Sequence, residues 1–277
     1  MQITVVVTTA GHHHWLAHVL SGLAGQDDRD FNLIIAEDGD SPDIRRLVAS
    51  RAPDFAANPR HLTQPRAGFR KCRILNRAIA LAEGEYLIFL DGDCIPRSDF
   101  VAVHRGLARP GRFLSGGALR LTEKVSNRIT GPDILRGDVH TYRWLRAAGM
   151  PISRQLLRLV TGRHWAAWLD RITPTAATFN GGNASAWKGD LLQVNGFDER
   201  LGYGGLDREL GTRLELNGIS GIQARHRAVT VHLYHERPYR DLSVMAANRR
   251  LRHDAAAQGR IRAVAGIAEL ETSEEDR

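Results

Sequence analysis

A chain of 277 residues can bury one good-sized core, as a single large domain or a domain with an attached subdomain. Its composition, 43% hydrophobic and 25% charged with two cysteines (Cys72 and Cys94), is that of a soluble globular protein and excludes a disulfide framework, and no apolar run reaches the roughly 18–20 residues that span a bilayer. The net charge of +7 and a pI near 10.0 call for an anionic partner: nucleic acid, a phosphorylated ligand or acidic lipid head groups.

The opening "MQITVVVTTAGHHH" has neither a basic leader nor a cleavage-site pattern, so no signal peptide and a cytoplasmic location are expected. Ile3–Thr9 is a continuous, largely β-branched run and predicts a strand buried on both faces. Trp15, Leu16, Val19, Leu20 and Leu23 then fall on one helical face that ends at Gly25. "FNLIIAEDGD" (Phe31–Asp40) is again an apolar strand running into acids and a glycine. A short helix is predicted from Asp43 to Ala52. Another follows Gly68 and Phe69, with Cys72, Leu75, Ala78, Ile79 and Ala82 at helical spacing. "EYLIFL" is a further strand, ending in Asp91-Gly92-Asp93, and a helix follows from Ser98 to Ala108. This alternation predicts an α/β fold with a mainly parallel sheet flanked by helices, in which ligands bind at the carboxyl ends of the strands. Thr8–Gly11, Glu37–Asp40 and Asp91–Asp93 would then surround one crevice.

After a predicted strand in "RFLSGGALRL", residues 122–175 read as a basic segment, helical in pieces and rich in tryptophan. Between Arg120 and Arg171 ten basic residues face four acids, which accounts for six of the seven excess charges. Trp165 and Trp168, with Leu156, Val160 and Leu169, fit either an amphipathic helix on a membrane surface or packing against the core. No basic–aromatic platform or recognition helix is evident, so nucleic acid is not an expected partner. The stretch "AANRRLRHDAAAQGRIRAVAGIAEL" is predicted helical, and "ETSEEDR" a solvated tail.

Two motifs carry chemistry. Positions i and i+2 of a strand point the same way, so Asp91 and Asp93 can serve a divalent cation and a neighbouring hydroxyl. Gly92 between them lets a ligand approach the backbone. Oxygen ligands favour Mg2+ or Mn2+, which also absorb the charge of a departing diphosphate. The plain alternative is a turn after a strand. In "NGFDERLGYGGLDRELGTRLELNG", the turn Gly202–Gly205 leads into a helix predicted from Leu206 to Asn217 and capped by Gly218. Asp207 in its first turn suits a general base, although a first-turn acid also simply stabilises a helix.

The strand–DGD–CIP segment, with "GGNAS" and "GFDERLGYGGLDRELGTRL", resembles the family 2 glycosyltransferases of the GT-A fold, with a galactosyltransferase-type carboxyl-terminal region. The resemblance covers about residues 3–110 and 178–236. It implies a Rossmann-like domain with a nucleotide-sugar-binding half (1–110) and an acceptor and catalytic half (111–239) that includes the basic helical insertion. A carboxyl-terminal helix and acidic tail (240–277) would follow. The implied activity is inverting, metal-dependent transfer from a nucleotide-diphosphate sugar, expected to be a UDP-sugar. The implied acceptor is a glycan or lipid-linked glycan of cell-surface polysaccharide synthesis, met at the inner face of a membrane.

Residue by residue, Thr8, Thr9, Ala10, Gly11, Glu37 and Asp38 match the strand ends that hold the nucleotide, with Asp38 the partner of a uracil N–H. Arg70, Lys71 and Asn76 match the helix beside it, where basic side chains meet phosphate. Asp91 would touch ribose or metal, and Gly92 belongs with it to the nucleotide-sugar site. Asp93 would ligate Mn2+ or Mg2+ with His235, or in second place His232; Arg237-Pro238 after His235 favours the former. Gly181, Gly182, Asn183, Tyr203, Gly204, Gly205 and Glu209 would shape the sugar and acceptor pocket, and Asp207 matches the base that deprotonates the acceptor hydroxyl. His12–His14 point different ways and read as a solvated helix start near phosphate, not a metal site. Cys72 and Cys94 read as buried small hydrophobes.

The departures are Ala10 and Gly11, where the family has an aromatic and a polar residue, and Leu206 in place of its usual glutamate, with Arg208 following. Sugar specificity is therefore not inherited. Two other readings stand beside this one: a haloacid-dehalogenase-type phosphohydrolase with Asp91 as nucleophile, and a non-catalytic nucleotide- or glycan-binding relative. The first is disfavoured because the motif lies on a later strand and is followed by Cys94-Ile95-Pro96.

Overall fold

The structure, a computed structural model, describes residues 1–160, 162–236 and 241–270, with the backbone alone at Arg163. The Arg237-Pro238 pair and the acidic tail singled out above lie outside the described residues. In chain order come β1 (Ile3–Thr9), α1 (His13–Ala24), β2 (Asn32–Glu37), α2 (Pro42–Arg51), β3 (Arg60–Leu62), α3 (Lys71–Leu81), β4 (Tyr86–Asp91), β5 (Cys94–Pro96), α4 (Phe100–Leu107) and β6 (Arg112–Arg120). There follow α5 (Glu123–Ser126), α6 (Gly131–Leu135), α7 (Tyr142–Ala148), α8 (Arg163–Ile172), β7 (Asn183–Trp187), α9 (Lys188–Gln193), α10 (Leu206–Leu216), β8 (Ser220–His232) and α11 (Leu242–Ala257).

The strands form one mixed sheet in the order β3-β2-β1-β4-β7-β6-β8-β5. β1 is buried throughout because helices cover both faces of the sheet. Ile3, Val5 and Val7 pack with Leu16, Val19, Leu20 and Leu23 of α1, while Val6 packs with Cys72, Leu75, Ala78 and Ile79 of α3. Parallel pairing sets Thr8 level with Ala36 and Asp91, so β1, β2 and β4 end together at one crevice. β7 runs antiparallel to β4, with Leu90 opposite Asn183, and so carries Gly181 and Gly182 to the Asp91 end. β8 pairs with β5 with Cys94 opposite His232, which brings a histidine beside Asp93 from the far edge of the sheet.

The basic middle adds to this core. Val125, Ile129, Ile134, Val139, Leu145, Met150, Leu156 and Leu159 belong to the same apolar cluster as β1 and α1. The expected amphipathic helix is in fact two elements. A 3-10 turn, Arg154–Leu159, buries Leu156, whereas Trp165 (66% exposed) and Trp168 (51%) stand out from α8. No helix among the described residues is long and apolar enough to cross a membrane.

The helix expected through residue 270 ends at Ala257, because Gly259 adopts φ +59° and the Arg260 N–H closes onto the Ala255 carbonyl at 2.8 Å. α10 is held to the fold by a fully buried Arg213. Its Nε and Nη2 donate to Glu209 at 2.7 and 2.8 Å, and Nη2 also reaches the Gly196 carbonyl at 2.7 Å. Removing the carboxylate leaves an uncompensated buried charge, so Glu209→Ala is expected to cost about 3–5 kcal/mol. Guanidinium denaturation of the purified variant would show it; a loss below about 1 kcal/mol would contradict the role assigned to this pair.

Candidate active site

The level ends of β1, β2 and β4, the loop before β7, the start of α10 and the end of β8 enclose a cavity of about 660 Å³. Of the residues expected to act, Thr8, Thr9, Ala10, Asp38, Lys71, Asp91, Gly92, Asp93, Gly182, Tyr203, Gly204, Gly205, Asp207, His232 and His235 line it.

The two aspartates of the DGD motif do not act as a parallel pair. β4 ends at Asp91, Gly92 and Asp93 form a turn, and the chain swings out to β5. Asp91 Oδ1 accepts from Thr8 Oγ1 at 3.1 Å and meets Lys71 Nζ at 2.5 Å. Burial alone would lower the Lys71 pKa, but the carboxylates of Asp91 and Asp207 outweigh it and raise it, so the ammonium stays charged. Asp93 turns instead to the end of β8 and the segment after it, where His235 Nε2 lies 3.0 Å from Oδ2 and His232 Nε2 lies 3.7 Å from Oδ1.

That second cluster suits a divalent cation. The ligand atoms of Asp93, Cys94 and His232 lie within 4.8 Å of one another. Nδ1 of His232 is 2.7 Å from the Leu233 carbonyl, and Nδ1 of His235 is 2.8 Å from the Glu236 carbonyl. A carbonyl only accepts, so each Nδ1 carries the proton and each Nε2 faces Asp93, the arrangement that orients metal-binding histidines. Burial opposes ionisation of Asp93, but when the imidazoles are doubly protonated the His235 hydrogen bond and the charges of the two histidines prevail and lower its pKa. Cys94 is a poor ligand: burial, then the charges of Asp93 and Asp91, push its thiol well above the ordinary range and keep it protonated.

Asp207 enters from α10. Gly204 and Gly205 have φ of +96° and +92°, a left-handed pair that residues with a side chain rarely adopt, and they turn the chain into the helix. The Asp207 Oδ1 atom is shielded from solvent yet has no hydrogen-bond partner among the described residues. Burial pushes its carboxyl pKa up; Lys71 opposes the rise and Asp91 adds to it. The loop before β7 has to be glycine. A Cβ on Gly181 would stand 2.5 Å from Asp207 Oδ1, and one on Gly182 would stand 2.7 Å from Asp91 Oδ2.

Other expected residues hold the site's frame. Glu37 accepts from the Ser41 N–H and pairs with His61, each at 2.8 Å. Arg70 contributes its main-chain N–H, 2.8 Å from Asp38 Oδ2, and Gln64 Nε2 reaches Asp38 Oδ1 at 2.7 Å. Asn76 is bonded to both backbone groups of Phe197, at 2.8 and 2.9 Å, and fixes the "GFDE" segment. Asn183 ties the Gly117 and Ala228 carbonyls together, at 3.0 Å each. Gly11, at φ +82°, follows β1, and Gly181 sits behind Asp207; neither lines the cavity. Glu209 is occupied by Arg213, away from the cavity.

Sequence reasoning missed cavity residues Trp15, Arg66, Phe69, Arg120 and Asn180, and placed His12 only at a helix start near phosphate. Trp15 packs between His12 and His235, with ring centroids at 4.1 and 5.3 Å. The "GHHHW" stretch did hold that signal, since α1 starts directly above the end of β1.

With this geometry in view, the comparisons with known proteins are specific. A family model described as Glycosyl transferase family 2 matches residues 4–140, and one described as the N-terminal domain of galactosyltransferase matches residues 169–236, together about three quarters of the chain. The chain belongs to the family 2 glycosyltransferases. This sets the haloacid-dehalogenase reading aside. Chondroitin synthase from Escherichia coli is 24% identical over 252 residues, covering 81% of this chain and 34% of its own. Validoxylamine A glucosyltransferase from Streptomyces hygroscopicus subsp. limoneus is 27% identical over 241 residues, covering 81% of this chain and 52% of its own. This family member thus spans a third to about half the length of those relatives.

Solved structures share its fold at low identity. A mannosyltransferase from Pyrobaculum calidifontis in complex with GDP-Man and Mn2+ superposes with a TM-score of 0.58 at 20% identity, covering 92% of this chain and 64% of that one. S. aureus TarS in complex with UDP-GlcNAc gives 0.62 at 15% identity, covering 97% and 69%. Glucosyl-3-phosphoglycerate synthase from Mycobacterium tuberculosis, in complex with Mn2+, UDP and glucosyl-3-phosphoglycerate, gives 0.51 at 18% identity, covering 93% and 79%.

Asp93→Ala is expected to weaken Mn2+ binding at least about tenfold, and Asp91→Ala, whose carboxylate is bonded to Thr8 and Lys71 and not to the histidines, to weaken it less. Electron paramagnetic resonance of free Mn2+ during titration measures both; equal affinity in wild type and Asp93→Ala would remove the cation site from this cluster.

Proposed function

We propose that this protein is an inverting glycosyltransferase that moves a sugar from a nucleotide-diphosphate donor, a UDP-sugar, to a hydroxyl of a glycan or lipid-linked acceptor in cell-surface polysaccharide synthesis. The observation that carries the reading is Asp207. Its buried, unpartnered oxygen shares one cavity with the Lys71–Asp91 pair and the Asp93–His232–His235 cluster. The solved relatives named above in complex with UDP-GlcNAc, with GDP-Man and Mn2+, or with UDP and Mn2+ lend support to a nucleotide-sugar donor.

In this scheme Asp38 and the end of β1 take the nucleoside, and Lys71 offsets phosphate charge. Asp207 accepts the proton of the acceptor hydroxyl as that oxygen attacks the anomeric carbon from the face opposite the departing diphosphate, which inverts the configuration. A divalent cation held by Asp93, His232 and His235 would neutralise charge on the leaving diphosphate. The raised Asp207 pKa suits this role, since a base is most effective when its pKa approaches the working pH.

Asp207→Asn should lower kcat by about 10²–10⁴ while UDP affinity is retained. Its melting temperature should not fall, because a carboxyl whose pKa is raised on folding loses stability as pH climbs through that pKa, and the amide removes this cost. In the wild type only ionised Asp207 works, so kcat should drop as pH falls through its raised pKa, at a higher pH than an ordinary aspartate would give. Wild-type turnover in the Asn variant would overturn the assignment. Tight UDP binding without transfer to any hydroxyl acceptor would favour the non-catalytic relative.

Contact with a membrane surface belongs to the same proposal. Trp165, Trp168 and Ile172, each at least half exposed, form one stripe of α8, and Ile152 and Leu157 of the same basic segment are exposed as well. The double change Trp165→Ser, Trp168→Ser should reduce co-sedimentation with vesicles containing anionic lipid by at least about fivefold, in line with the loss of buried apolar area. Undiminished binding would sink the idea.

A further inference from the structure

A second recess, of about 290 Å³, adjoins the main cavity and shares Ala118, Arg120 and Asn180 with it. Three guanidinium groups converge there, Arg120 from β6, Arg158 from the 3-10 turn and Arg225 from β8. The register of β6 against β8 shifts between Gly116 and Gly117, and these two glycines give the recess a floor without side chains.

Arg158 and Arg225 are half-buried and Arg120 is exposed; none of the three forms an ion pair with a carboxylate among the described residues, whereas most other buried or half-buried arginines there do. Their partners are neutral. Arg158 Nη1 donates to the Ala118 carbonyl and, at 3.4 Å, to Gln155 Oε1; Arg225 Nη1 donates to Thr175 Oγ1 at 3.2 Å. Arg225 Nε is buried and has no hydrogen-bond partner among the described residues. Burial, then the charges of Arg225 and Arg120, lower the pKa of Arg158, yet a guanidinium does not give up its proton in a protein. The repulsion therefore persists until an anion relieves it. Guanidinium forks match carboxylate and phosphate oxygens, and buried N–H donors without partners cost stability until such an acceptor arrives.

We propose that this recess binds an oxyanionic group, phosphate or carboxylate, carried by the acceptor substrate. The assignment rests on the transferase reading above. Its position favours the acceptor over the donor. Asn180 joins the recess to the loop whose Gly181 touches Asp207, while Lys71 and the Asp93 cluster lie with Asp91 on the donor side. An acceptor anchored there presents a neighbouring hydroxyl to the base, and a neutral glycan lacks the anchor.

The test is calorimetric titration of the full chain, with UDP and Mg2+ present, by inorganic phosphate, glucuronate and glucose in turn. Wild type, Arg158→Gln, Arg225→Gln and Arg158→Lys are compared, with thermal melting to confirm that each variant folds. Saturable binding of phosphate or glucuronate but not glucose is expected, at least about tenfold weaker in either Gln variant and largely kept by Arg158→Lys. Whichever anion binds identifies the group as phosphate or carboxylate. Absence of saturable anion binding in wild type, equal binding in the Gln variants, or displacement of the anion by UDP would overturn the proposal. UDP is titrated separately: its failure to bind while the anion still binds would remove the transferase reading and leave the recess, and the reverse would remove the recess alone.

Discussion

The arrangement of the cavity depends on one ammonium group. Asp91, Asp93 and Asp207 bring three carboxylates into a space of about 660 Å³, and like charges so close would oppose one another's ionisation. Lys71, at the first turn of α3, meets Asp91 directly and acts on Asp207 through space. It pairs with Asp91, while Asp207 is left with a raised affinity for a proton. The division among the aspartates follows: one anchors a cationic side chain, one faces two histidines, and one keeps a buried oxygen without a hydrogen-bond partner among the described residues.

Holding Lys71 there takes the whole parallel half of the sheet. α3 packs across Val6, Ile34, Leu87 and Phe89 from β1, β2 and β4, and Asp38 fixes the helix entry through the Arg70 N–H. The antiparallel half supplies the counterpart. β7 presents a backbone that glycine alone can bring against two carboxylates, and β8 delivers the imidazoles.

Much of this was legible in the sequence because strong local patterns coincide with the site. The runs at Ile3–Thr9 and Tyr86–Asp91 announce doubly covered strands, and their polar ends mark the crevice. The Gly-rich turn before Asp207 announces a positive-φ entry to a helix. The rest depends on long-range pairing. β3 and β5 have three residues each, too few for any period, and β5 finds its partner well over a hundred residues away. The assumption that Asp91 and Asp93 continue one strand failed because the chain turns at Gly92. Asn76, Asn183 and Glu209 are polar residues whose neighbours in sequence give no hint that their bonds run inward to backbone carbonyls and a buried arginine. Arg120, Arg158 and Arg225 looked like scattered surface charge until the bulge of β8 at residues 225–228, opposite Gly116 and Gly117 of β6, brought them together.

The cavity draws its walls from Thr8 near one end of the chain and His235 near the other. Contacts of such sequence separation are costly to close and form late in folding. A chain emerging from the ribosome can therefore pair β1, β2 and β4 and wrap α3 around them well before any imidazole reaches Asp93 or any glycine loop reaches Asp207. The complete cavity thus requires the chain through His235, whatever part of the sheet has already paired.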